Sequence, residues 1–164
     1  MTSDPHIYRP NVGITLFNGA GRVFIARRMK NDGPEVIFPG HEWQFPQGGI
    51  ENGEEPYKAA LRELHEETGV THASYLGESD WISYDFPPYL GPRHRLARYR
   101  GQRQKWFALK FTGNESEIDI HEPRGDEPEF DAWRWERLDA VPRLVVPFKR
   151  HVYEEIAKRF RVFV

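Results

Sequence analysis

A chain of 164 residues, 38% hydrophobic and with a formal net charge of −2, has the size and apolar content of one globular unit, 1–164. The absence of cysteine excludes a disulfide framework, a thiolate nucleophile and a cysteine-ligated zinc site. No apolar run approaches the roughly 18 residues of a membrane span, and the opening MTSDPHIYRP lacks the apolar core of a signal peptide, so the expectation is a soluble cytoplasmic protein with no membrane partner.

In chain order, VGITLF (12–17) and RVFIARR (22–28) flank NGAG and read as a hairpin, since Asn-Gly is the strongest short hairpin signal. The segment 29–42, with two Pro and two Gly, reads as a loop, and WQFPQGG (43–49) as a short strand running into a turn. From about Glu55 to Thr68 the period becomes helical: Pro56 suits the first turn, and Gly69 the left-handed residue after the last. Tyr57, Ala60, Leu61, Leu64 and Thr68 form one apolar stripe, and Glu63, Glu66 and Glu67 centre on a different face, turned to a cleft or to solvent. DWISYDF (80–86), QKWFALKFTG (104–113) and FDAWRWERL (130–138) read as aromatic-rich strands. A final helix is expected over 146–160, with Phe148, Val152, Ile156 and Phe160 recurring every four residues. Together these give a mixed sheet with helices on its faces, an α/β or α+β sandwich.

Charge is segregated: RHRLARYRGQRQK (93–105) is basic, whereas Glu115 to Glu129 is acidic. The sharpest local feature is RELHEETGV (62–70), in which Glu63, Glu66 and Glu67 share a helix face and repel one another unless a cation sits among them. Such glutamate-rich faces are ordinarily solvated surface. Here the pattern extends from Gly48 through Glu54 to Arg62, Glu63, Leu64, Glu66, Glu67, Gly69 and Val70, a combination that arises by chance on the order of once in ten million chains of this length. This segment resembles the Nudix box of the Nudix hydrolases at every specified position. The chemistry fits the residue types: clustered carboxylates supply hard oxygen ligands for Mg²⁺, with Mn²⁺ as the alternative, and bound metals bridge polyphosphate oxygens and activate water. Arg62 and Glu54 take supporting roles as an ion-pair brace and a charge near the helix start; Gly48 permits close approach and Gly69 ends the helix.

Outside the box, YRPNVG (8–13), WQFPQGG (43–49), WISYDFP (81–87), GQRQKWF (101–107), PEFDAWRW (128–135) and VPFKRHVY (146–153) are similar to bacterial RNA pyrophosphohydrolases and asymmetric diadenosine tetraphosphate hydrolases. The resemblance implies a Nudix-type α/β/α sandwich with a mixed sheet. It implies Glu66 and Glu67 as metal ligands, with Glu63 and Glu129 as further ligands or as the catalytic base, the choice between those two staying open. It also puts Arg28, Gln47, Gly48, Gln104, Lys105 and Lys149 on the substrate side. Tyr84 and Phe148 either stack on a nucleobase or belong to the core. Two features depart from the usual bacterial pattern. Loop 29–42 is longer, and the tract Arg93 to Arg100 is more basic, reading either as a solvated loop or as an electrostatic trap for polyphosphate or RNA. The leading expectation is a metal-dependent hydrolase of 5′-polyphosphorylated ends, whether RNA triphosphate ends, dinucleoside polyphosphates or both, with no DNA duplex as partner. A Nudix enzyme for ADP-ribose or a nucleotide sugar is disfavoured by the motifs outside the box. A non-catalytic nucleotide- or RNA-binding module is disfavoured by the intact glutamates.

Overall fold

Asn18 makes the first turn. Its side-chain oxygen accepts from the amides of Ala20 and Arg22, both at 2.9 Å, and Gly21 takes a φ of 76°. This closes the expected hairpin between β1 (Tyr8–Phe17) and β2 (Val23–Arg28), with Phe17 opposite Val23. The structure, a computed structural model, describes residues 7–29, 33–121 and 128–164. Residues 1–6 of the opening, 30–32 of loop 29–42 and 122–127 of the acidic tract lie outside the described residues.

WQFPQGG is not one strand but two. β3 (Trp43–Gln44) pairs with β2 and β4 (Gln47–Gly49) with β1, because Pro46 between them has no N–H to continue a ladder. Helix α1 (Pro56–Thr68) follows, ended by Gly69 at φ 77°, whose N–H bonds the His65 carbonyl. Ala59, Ala60, Leu64 and Thr68 form its buried face; Leu61 of the expected stripe is exposed. Strand β5 (Ala73–Glu78) was not foreseen from the sequence. β6 (Ile82–Asp85), β7 (Gly101–Phe111) and β8 (Phe130–Glu136) correspond to the three aromatic segments, with β7 starting three residues earlier than its sequence pattern and β6 shorter than expected. The last helix is also shorter: Pro147–Lys149 form a 3₁₀ turn and α2 runs Arg150–Phe160, so Phe148 precedes the helix.

The strands form one mixed sheet in the order β3-β2-β1-β7-β5, with β4 beside β1, β6 beside β7 and β8 beside β2. β1 and β7 are parallel over Tyr8–Phe17, and the other pairings are antiparallel. One face carries α2, with Val152, Tyr153, Ile156 and Phe160 packed on Phe17, Ile25 and Trp106. The other carries α1, with Ala60 and Leu64 on Val12, Ile14, Phe24 and Leu109. The architecture is the expected α/β/α sandwich. Among the described residues no helix is long and apolar enough to cross a membrane.

The turn from α1 into β5 is tied by Glu117. Its carboxylate accepts from the Thr71 amide, from the Thr71 hydroxyl at 2.7 Å and from the His72 amide at 3.0 Å, and stands 3.0 Å from His72 Nδ1. Burial alone would raise this carboxyl, but the bonds from Thr71 and His72 outweigh it and bring it down to about 2. A carboxyl depressed in the folded state binds fewer protons there than in the unfolded chain, so its stabilisation is present above the unfolded value and is lost as pH falls through the folded one. Glu117→Gln should therefore cost about 1–2 kcal/mol at pH 7. Urea melts between about pH 4.5 and pH 2 should show a steeper stability loss in the parent than in the variant. Equal slopes would remove Glu117 from this role.

Candidate active site

Strand β4 sits on β1 with Asn11 opposite Gly49, Val12 opposite Gly48 and Gly13 opposite Gln47. The chain then turns through residues 50–55 into α1, so that the glutamate face of α1 lies over the Gly48-Gly49 pair. A Cβ built on Gly48 would overlap the Glu63 carboxyl, and one on Gly49 would overlap the Arg9 guanidinium. The close approach expected at Gly48 is thus approach by Glu63 itself.

Arg62 is the brace. Its Nε and Nη2 donate to Glu54 at 2.8 and 2.9 Å, its Nη1 to Glu63 at 2.9 Å and Glu66 at 3.2 Å, and its Nη2 also to the Gly49 carbonyl at 2.9 Å. The bonds it donates to Glu54 are the chief reason its guanidinium is held firmly protonated. Burial pushes the Glu63 carboxyl up to about 7 against the pull of Arg62. Glu67 is driven well above the ordinary carboxylate range, first by burial and then by the charges of Glu63 and Glu129. Its Oε2 is buried and has no hydrogen-bond partner among the described residues. An orphaned acceptor beside two further acids is a place where a divalent cation removes both the desolvation cost and the repulsion. The acids are not a preformed cage: among the described residues no three acidic or histidine side chains stand together as a ligand set, because Glu63 and Glu66 are turned to Arg62. The donor chemistry fits a hard metal.

A cavity of about 260 Å³ opens beside this face. Of the residues anticipated from sequence, Arg28, Gln47, Gly48, Glu63, Glu67 and Glu129 line it. Exposed Glu129 comes in on the segment before β8, its carbonyl accepting from the Met29 amide at 3.1 Å. Gln104 is fully buried beneath the cavity, donating to Asn11 at 2.9 Å and Gln47 at 3.2 Å. Lys105 is a correction. Side chains alternate along β7, so while Gln102 lines the cavity and Gln104 shares its side of the strand, Lys105 turns to Glu78 at 2.9 Å and lies over Trp81. Tyr84 is another. It is 2% exposed and its hydroxyl donates to Glu35, so its ring is core and offers no face to a base. Phe148 is half-buried between Tyr84 and Phe38, and Lys149 is fully buried, 2.6 Å from Glu35.

Sequence reasoning missed Arg9, Asn11, Glu35 and Gln102, all of which line the same cavity, while Arg95 of the anticipated basic tract lines it too. Arg9 and Asn11 lay within YRPNVG, where alternation from Tyr8 would have paired them on one face. Glu35 had no signal, being one acid in a Pro- and Gly-containing loop. Burial would raise its carboxyl, but the charges of Lys149 and Arg28 hold it below the ordinary range. The basic tract divides: His94 and Arg95 reach the cavity, Arg93 and Arg98 line a hollow beside it, and Arg100 is bound to Asp85 at 2.8 Å.

The chain matches the family model described as NUDIX domain over residues 7–156. A protein from Azorhizobium caulinodans named RNA pyrophosphohydrolase is 54% identical over 159 residues, 95% of this chain and 94% of that one. One of the same name from Brucella anthropi is 52% identical over 159 residues, 96% of this chain and 91% of that one. Among solved structures, a C. elegans Ap4A hydrolase binary complex superposes with a TM-score of 0.64 at 17% identity, covering 93% of this chain and 96% of that chain, a likeness that speaks for the fold. Family match, sandwich fold and glutamate helix agree, and the chain belongs to the Nudix hydrolases.

Proposed function

We propose that this protein is a Nudix pyrophosphohydrolase, one domain over 1–164, that works in the cytoplasm and cleaves the 5′-triphosphate end of RNA with release of pyrophosphate. The observation that carries the reading is that the carboxylate face of α1 and three cations, Arg9, Arg28 and Arg95, line one cavity. A polyphosphate needs both, the cations to bind its charge and the acids to hold metal. High identity over nearly the full length of proteins named RNA pyrophosphohydrolase supports the substrate.

Glu66 and Glu67 would hold Mg²⁺ or Mn²⁺, with Glu129 joining from the facing loop. Bound there, the metal would supply charge neutralisation at the phosphates and lower the pKa of a bound water. The chain's own part is positioning. Arg62 fixes the carboxylates in register, Gly48 lets Glu63 lie against the sheet, and Arg9, Arg28 and Arg95 orient the phosphate chain. The proton acceptor is Glu63 or Glu129, both of which line the cavity and are placed to meet a water at the phosphates. RNA rather than a DNA duplex is the expected nucleic acid, because the cavity takes a chain end.

The test is kcat/KM with Mg²⁺ for a short 5′-triphosphate RNA, diadenosine tetraphosphate and ADP-ribose. RNA should be preferred, with the dinucleotide cleaved asymmetrically and more slowly. RNA offers a run of backbone phosphates to the hollow at Arg93, Arg95 and Arg98, which the dinucleotide lacks. Neutralising Arg93 and Arg98, which line the hollow and not the cavity, should cost on the order of 10-fold on RNA at low salt, less at high salt, and little on the dinucleotide. Arg100, held by Asp85, should matter less. Equal losses on both substrates would reduce the tract to general phosphate capture, and a preference for ADP-ribose would overturn the substrate assignment.

A further inference from the structure

A line of buried hydrogen bonds runs across the floor of the cavity and starts on the loop whose length departs from the usual pattern. Glu35, 8% exposed, receives Tyr84 Oη and Gln102 Nε2 (2.8 Å) on Oε1 and has Lys149 Nζ 2.6 Å from Oε2. Gln102 turns its own Oε1 to Asn11 Nδ2 at 2.9 Å and to Arg9 Nη1 at 3.1 Å. Asn11 in turn accepts from Gln104 Nε2 at 2.9 Å, and that amide also reaches Gln47 Oε1 at 3.2 Å.

An ionised carboxylate can only accept, whereas an amide can face either way. Glu35 therefore dictates which end of Gln102 points where. With Nε2 committed to Glu35, Oε1 must face Arg9 and Asn11, and each following amide inherits the direction. Were the Gln102 amide to turn over, its NH₂ would meet the donors of Arg9 and Asn11, and Arg9 would lose its anchor. Arg9 lies against Gly49, where a Cβ would overlap it, and lines the cavity with Glu63. Arg28 is held by the same loop differently, through the Glu35 carbonyl at 2.6 Å, so a side-chain change at position 35 leaves that contact in place.

We propose that Glu35 is a positioning residue: by fixing the direction of the Gln102 amide from loop 29–42, it presents the Arg9 guanidinium to the phosphates of the substrate. This rests on the cavity being a polyphosphate site, and the test is chosen to separate the two ideas. The probe is inorganic tripolyphosphate in Mg²⁺ buffer, titrated calorimetrically into the parent, Glu35→Ala, Arg9→Met and the double variant, with melting temperatures in parallel. Glu35→Ala should weaken binding about 10-fold in the parent background and less than about 2-fold once Arg9 is gone, since coupled residues are non-additive. Equal weakening in both backgrounds, or a melting-temperature loss with affinity unchanged, would show a packing role only and overturn the proposal, as would a parent that does not bind tripolyphosphate.

Removing Glu35 leaves Lys149 buried and unpaired, a change that can unfold a protein. Glu35→Gln is therefore carried through the same cycle: it keeps the shape and the bonding capacity but is no longer acceptor-only. It should weaken binding a few-fold, again only when Arg9 is present, and a Gln cycle without coupling overturns the proposal. Turnover of 5′-triphosphate RNA by the parent is measured separately. Its absence would count against the proposed function and leave the tripolyphosphate cycle to decide the role of Glu35.

Discussion

Glu67→Gln will lower turnover of 5′-triphosphate RNA by about 10²–10³-fold at saturating Mg²⁺, the range lost when one electrostatic contribution is removed from a preorganised site. The same change should raise the melting temperature of the metal-free protein. In the parent a nearly buried carboxyl faces Glu63 and Glu129, and its Oε2 has no partner among the described residues. An amide keeps the volume, keeps an oxygen for the Gln47 backbone amide that bonds this carboxyl, and offers NH₂ to the neighbouring acids. A carboxyl held that high must take up a proton when the chain folds near neutral pH, and sparing this cost is worth on the order of 1 kcal/mol. The parent should gain stability on adding Mg²⁺ and the variant should gain much less. Calorimetry with and without Mg²⁺ and a single-turnover assay decide it. Turnover within a few-fold of the parent, or a melting temperature that still climbs equally with Mg²⁺, would remove Glu67 from the metal site.

The box was legible because its chemistry forces a spacing. Carboxylates that share one cation must share one helix face, and the glycines at its ends have backbone reasons visible in any sequence. The hairpin at NGAG and the apolar stripe of α2 were legible for the same reason, a local rule acting on a local pattern. What failed was whatever depends on a distant partner. Strand β5 has no clean alternation in ASYLGE and is made a strand by antiparallel pairing with β7. Lys105 looked like a phosphate ligand from its charge, but alternation along β7 gives that face to Gln102 and Gln104. Whether Tyr84 was core or an available aromatic depended on a distant partner, Glu35, which accepts from its hydroxyl. Loop 29–42 is where the sequence was most opaque: an acid among Pro and Gly has every mark of solvated surface, and its partners are Gln102 and Lys149, 67 and 114 residues away.

Gly48→Ala tests how tightly the box and the sheet are built into one another. Its effect should rival the loss of a metal ligand although the added group is a single methyl. In the register of β4 on β1, Gly48 lies opposite Val12, and the space a Cβ would fill is occupied by the Glu63 carboxyl, which Arg62 holds at 2.9 Å. The methyl must either lift β4 from β1 or push Glu63 off Arg62 and away from the cavity. Backbone pairing resists the first, so the side chain moves. A misplacement of about 1 Å at a reacting centre can cost on the order of 10²-fold in rate, and that is the loss expected in kcat, with a change of only a few degrees in melting temperature. The cause can be checked by shortening the displaced side chain. Glu63→Asp withdraws the carboxylate by one methylene, so in the Gly48→Ala background it should restore part of the lost stability and cost less activity than it does alone. Additive losses in the double variant would mean that Gly48 acts through β4 rather than through Glu63, and the contact between box and sheet would then be incidental to catalysis.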